Sequence, residues 1–242
     1  MDPFSDSRAL LARAKMHYSE LIDFWHSDRG EKMWSIVVEQ RGRESFHYLI
    51  KLNRPLLVRM RPVMADTANN IVSSLDHIVS SAARINGHGR EARTYFPWVF
   101  DDDDFKKALE KMAKFTGDEV ANAIKDVWFN NGFERPHLRA TKELSNSGKH
   151  WELLHSVGGV HGVMFEVQGE QKTYDIPRDA FKEMDTYEFF QSGQPIGDVP
   201  FTTVLSLTVD GLSDDLPTSP DSIFECSLRF SERLIDAVSA RL

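Results

Sequence analysis

Asp66, Asn70, Ser73 and His77 recur at i, i+4, i+7 and i+11, a spacing that sets four polar side chains on one side of an α-helix. Asp76 lies beside His77, nearer the apolar stripe of the same segment. A carboxylate, an amide and an imidazole in one row can hold a cation or manage a proton. The same row is also what the polar face of any amphipathic helix looks like. A second cluster, Asn146, Lys149 and His150, is followed by Trp151 and His155. Asn146 and His150 are i, i+4 if the helix there is continuous. The lysine charge next to the imidazole favours its neutral form, which suits a base or a phosphate contact. The plain alternative is a solvated Lys149 beside a hydrogen-bonded interior His150. The two clusters are expected to meet across a helix–helix interface.

The run Asp66-x-x-x-Asn70-x-x-x-x-Leu75-Asp76-His77, then Phe96-Pro97, then Asn146-x-x-Lys149-His150, resembles a loose group of uncharacterised bacterial and phage proteins. The resemblance spans roughly residues 8–157 and implies a D-x-x-x-N-x-x-x-x-L-D-H helix, an F-P loop and a later N-x-x-K-H segment. It carries no activity with it. Members of the group often have an arginine two residues after the helix asparagine, which gives Arg-x4-His, similar to helical HEPN-type ribonucleases. Here that position is Val72, and the only Arg-x5-His pair runs from Arg41 to His47.

These residues need elements to position them. Residues 63–84 predict a helix, because Met64, Ala68, Ile71, Leu75, Ile78 and Ala82 step by four and three. Pro62 is placed just ahead of it and Asn86-Gly87 stops it. Residues 137–156 predict a second helix, with Ser145-Asn146-Ser147-Gly148 as a candidate break. Upstream, residues 7–26 read as a helix with Ser7 as N-cap. Trp34–Glu39 and Phe46–Leu52 read as a hairpin around Arg41-Gly42-Arg43, and Leu56–Met60 as a third short strand. Helices are expected near 102–114 and 117–129. The acidic run Asp101–Asp104 is read as helix-start chemistry in preference to a metal site.

Val160–Val167 and Lys172–Ile176 predict a second hairpin, 178–190 a helix, and Thr202–Val209 a strand. From Ser222 onward strand and helix patterns overlap, with a helix favoured over 231–242. The expectation is an α+β fold, a helical bundle packed with a small antiparallel sheet, in one domain over 1–242. The helical core would span about 8–26 and 63–157, and the β-containing part about 158–242.

Bulk properties narrow the classes. With 41% hydrophobic and 27% charged residues over 242 positions, the chain can bury a core. A net charge of −8 weighs against nonspecific nucleic-acid binding, because an acidic chain repels a phosphate backbone at long range. The single cysteine, Cys226, rules out an intramolecular disulfide and a cysteine-rich zinc site. No apolar run reaches the ~20 residues of a bilayer span, no secretory pattern opens the chain, and a cytoplasmic location is expected. Phosphate-binding glycine loops, H-E-x-x-H and G-x-S-x-G are absent. The residues name no cofactor, no metal and no partner, and a homo-oligomer is compatible with them.

Two functions follow from the polar clusters. In the first, the chain is a cytoplasmic interaction or structural protein in which they form a hydrogen-bonded network between two helices. In the second, it is a hydrolase acting on phosphodiesters. Asp66, Asp76 and His77 would then be metal ligands or acid–base groups, with Asn146, Lys149 and His150 orienting substrate. HEPN-like RNA cleavage is a minor variant of the second.

Overall fold

The apolar stripe that begins at Leu56 is longer than the sequence pattern suggests. In a computed structural model of the chain, one helix, α2, covers Arg54–Ile85. The expected third strand at Leu56–Met60 is therefore its first two turns. Leu56, Leu57 and Met60 are buried while Val58 between them is half exposed, which is helical periodicity and not alternation. Asn53 starts the helix: its side-chain oxygen accepts from Leu56 N at 3.3 Å, and its carbonyl accepts from Leu57 N at 3.2 Å. Pro62 lies inside α2 and not ahead of it. The helix ends where expected, at Gly87 with φ 85°.

The structure describes residues 2–26, 33–89, 94–150, 156–167, 170–177, 180–181, 183–196, 201–209 and 211–242. The element order is α1 (Ser5–His26), β1 (Trp34–Gln40), β2 (Phe46–Leu52), α2, α3 (Asp102–Thr116), α4 (Asp118–Asn130), α5 (Arg135–His150), β3 (Ser156–Val167), β4 (Glu170–Asp175), β5 (Thr186–Ser192), β6 (Phe201–Val209) and α6 (Pro220–Ser239), with a 3-10 turn at Gly132–Glu134 before α5. The α+β class is as expected, with packed helices and small antiparallel sheets. The chain forms two compact units, one from 1–22, 62–154 and 211–242, the other from 23–61 and 155–210.

The first unit is helical. Phe105 stacks on Trp128 with ring centroids 4.1 Å apart, and Phe96 and Phe230 close on the same indole at 6.1 Å each. Ser7 is not a cap: it is fully buried inside α1, and Asp2 takes the Phe4 N–H at 2.9 Å instead. The acidic run does open α3, with Asp101 Oδ1 accepting from Asp103 N and Asp104 N at 3.0 Å each. Ser145–Gly148 continues α5 without a break. The ambiguous C-terminal stretch is helical from Pro220 onward, and Phe224, Cys226, Leu228 and Phe230 are all buried in it.

The second unit holds two three-stranded antiparallel sheets, ordered β1-β2-β5 and β4-β3-β6. Tyr48, Ile50 and Leu52 of β2 and Phe189 of β5 share one apolar cluster with Val163 of β3, Ile176 and Phe181. The helix expected over 178–190 is β5 from Thr186 onward, while 178, 179 and 182 lie outside the described residues. Thr186, Tyr187, Phe189 and Phe190 are β-branched or aromatic, and as a strand they satisfy the second edge of β2 while burying Phe189.

Candidate functional site

The helix of the D-x-x-x-N motif divides its polar residues among different tasks. Asp66 is exposed, and the Asn70 amide turns back to donate to the Asp66 carbonyl at 2.7 Å. Neither side chain faces a partner element through a described contact. Asp76, by contrast, is committed to the loop that follows. Its Oδ1 accepts from the Phe96 backbone N–H at 3.1 Å and from the Trp98 indole N–H at 3.0 Å. Ser80, one turn on, donates to the Thr94 carbonyl at 2.9 Å. The F-P motif is thus the part of the loop that α2 holds. Phe96 is buried with its ring 4.9 Å from Trp98 in an edge-on contact.

The second expected helix does approach the first. Ser145 of α5 donates to Asn69 Oδ1 of α2 at 2.7 Å. Lys142, one turn earlier, sets its ammonium 5.0 Å from the Trp98 ring centre, within cation–π range. α5 is tied to α6 as well, through Thr141 Oγ1 and Ser227 Oγ at 2.8 Å, both buried, and through His137 Nε2 and Ser222 Oγ at 2.9 Å. Among the described residues, Asn69 and Ser145 bridge the two helices, each next to a motif residue that the sequence pattern favours. Asn146 itself is exposed. The side chains of Lys149 and His150 lie outside the described residues, as do Trp151 and His155, so the expected meeting of His77 with His150 is not among the described contacts.

His77 keeps one open feature. Its Nδ1 is buried and has no hydrogen-bond partner among the described residues. Among those residues, no group of three or more His, Cys, Asp or Glu has the geometry to hold a metal ion. Val72, where the resembling proteins carry arginine, is 1% exposed and belongs to the apolar core.

A second polar constellation lies in the other unit and escaped the sequence reading. His47 Nε2 is 2.9 Å from Ser45 Oγ, and His47 Nδ1 is 2.8 Å from Glu188 Oε1. Arg41 donates to Glu188 Oε2 at 3.2 Å and to Glu39 Oε2 at 2.7 Å. Gln191 Nε2 donates to Ser45 Oγ at 3.0 Å. Glu39 and Gln191 are the cross-strand neighbours of His47 on β1 and β5. The Ser45-Phe46-His47 alternation held half of the signal, since residues two apart on a strand share a face. Glu188 was hidden by the helical reading of its segment.

Among the described residues no helix is long and apolar enough to cross a membrane. No family model matches the chain, and no curated protein and no solved structure matches it.

Proposed function

We propose that the helical unit is a noncatalytic interaction module, in which the motif residues hold α2, the aromatic loop and α5 as one preorganised platform. The observation that carries this reading is the Asp76 carboxylate. Two donors on its Oδ1 come from the chain's own loop, at 3.1 and 3.0 Å. A carboxylate so engaged fixes backbone and indole positions and is poorly placed to receive a substrate proton. The Asn69–Ser145 bond and the Lys142–Trp98 contact extend the same seam to α5. Kinship with the bacterial and phage group that shares the D-x-x-x-N-x-x-x-x-L-D-H helix is part of this proposal. In such relatives the motif would be kept for the platform it builds.

The test is thermal unfolding of Asp76→Ala and Asp76→Asn beside the parent chain. Removing a charged acceptor of two hydrogen bonds costs on the order of 1.5–3 kcal/mol. For a chain of this size that lowers Tm by roughly 4–10 °C. Asp76→Asn keeps one oxygen for the two donors and should fall between. An Asp76→Ala variant with the parent Tm would end the reading.

The rival reading, phosphodiester hydrolysis, draws on His77 and its unpartnered buried Nδ1. It predicts hydrolysis of bis-p-nitrophenyl phosphate that is lost in His77→Ala. A rate equal to that of the buffer removes it.

A further inference from the structure

We propose that Ser45, His47 and Glu188 form a nucleophilic serine site that accepts acyl groups from small activated esters. This site is independent of the platform described above, since all of its residues belong to the strand unit.

The hydrogen bonds run in one direction. The carboxylate of Glu188 accepts only, so the proton between it and His47 resides on Nδ1. A ring with that tautomer offers a lone pair at Nε2, 2.9 Å from the Ser45 oxygen, where it can accept the hydroxyl proton. Gln191 donates to the Ser45 oxygen, so the order from amide to hydroxyl to imidazole to carboxylate is complete. Nucleophile, base and orienting carboxylate stand within the 2.6–3.2 Å reach that this chemistry needs. Such a constellation is recognised by geometry and roles and not by chain position. Arg41, itself held by Glu39, donates to the outer oxygen of Glu188, so the orienting carboxylate is fixed from its far side. The His47 side chain is only 12% exposed, which limits its rotation away from Ser45.

The strand geometry provides a second, separate observation. Glu188 and Gln191 are three residues apart and would point to opposite faces of a regular strand. The pairing of β2 with β5 shifts between Tyr48↔Phe190 and Leu49↔Glu188, which leaves Phe189 as an extra residue. That bulge brings Glu188 onto the face of its partner Leu49, the face that carries His47 and Gln191. Bulges of this kind re-aim side chains and are enriched beside active sites. A simple solvent-facing ladder of polar pairs needs no such break in register.

The chemistry balances with water alone. Ser45 Oγ attacks the acyl carbonyl carbon while its proton passes to His47 Nε2. The tetrahedral adduct collapses, the alkoxide leaves with that proton, and Ser45 carries the acyl group as an ester. Water then attacks that ester, His47 again takes and returns a proton, and the carboxylic acid departs from a restored serine. Ser45 and His47 are the catalytic residues here, and Glu188 and Arg41 are positioning residues.

The experiment treats the full chain with a fluorophosphonate probe and maps the modified peptide by mass spectrometry. Release of p-nitrophenolate from p-nitrophenyl acetate is followed in parallel. The expected result is a stoichiometric adduct on Ser45, with fluoride displaced, and a burst of p-nitrophenolate equal to the protein. His47→Gln should lower the labelling rate by about 100-fold or more. Glu188→Gln should lower it by about tenfold or more, through the tautomer that it no longer fixes, with the parent Tm retained. A merely structural Glu188 would shift Tm and leave the labelling rate per folded molecule unchanged. Absence of an adduct, an adduct on any other residue, or equal labelling in Ser45→Ala overturns the proposal. Mapping on the parent chain decides the matter even if a variant fails to fold.

Discussion

Asn69 and Ser145, 76 positions apart, share a 2.7 Å hydrogen bond that joins α2 to α5 beside the two polar motifs. Ser145 is fully buried, so its hydroxyl without Asn69 would be left an unsatisfied polar group. Asn69→Ala and Ser145→Ala should each cost about 1–3 kcal/mol, and the double variant less than their sum. Chemical denaturation of the full double-mutant cycle measures the coupling. Strict additivity would show that the bond contributes nothing of its own.

Tyr18 donates its hydroxyl to Asp221, joining α1 to the first turn of α6. Burial first, and then the Asp221 carboxylate, push its phenol well above the ordinary tyrosine range. A group whose folded value is raised contributes stability that is complete below its unfolded value, about pH 10 for tyrosine, and lost as pH climbs through the folded one. The parent chain should therefore lose its stability advantage over Tyr18→Phe only above about pH 10. Phenolate absorbance should show a late ionisation step above the ordinary tyrosine range, and that step should vanish in the variant.

Asp101 caps α3 with two backbone bonds, and the Asp104 and Asp103 N–H groups hold its carboxyl below the usual aspartate range. The lowered value means that the cap acts above the unfolded aspartate value and is lost as acid protonates it. Asp101→Ala should lower Tm by about 2–4 °C at neutral pH, with the difference shrinking in acid. Asp101→Asn should retain most of the cap. A pH-independent difference would contradict the charged-cap account.

Pro62 sits inside α2 at an exposed position and has no N–H to give to the turn before it. Proline in a helix interior is roughly 3 kcal/mol less favourable than alanine. Part of that returns through the stiffer unfolded chain, so Pro62→Ala should raise stability by on the order of 1 kcal/mol or more. A lower Tm would mean that the stiffening of the unfolded chain by the proline outweighs its cost to the helix.

Much of the helical architecture is legible locally. The step of four and three from Met64 to Ala82 gives the main body of α2, and Asn86-Gly87 gives its end. The acidic residues at 101–104 mark the start of α3 because a helix N-terminus needs acceptors wherever it lies in the fold. Such signals depend on neighbours within one turn, and the sequence contains those neighbours.

Three features depended on contacts made far along the chain. Leu56–Met60 reads equally as strand or helix until Asn53 caps it and its buried face is known. Thr186–Phe190 becomes a strand because β2 has an unpaired edge to offer, which no local pattern records. The candidate sites followed the same rule. Asp76 and His77 were visible as a spaced row, but the partners of Asp76 include a loop indole and a backbone amide about twenty positions later. Sequence alone determined which polar groups were available and which helices would carry them. Tertiary structure decided whom they bond, because a hydrogen bond acts over about 3 Å of space and is blind to distance along the chain.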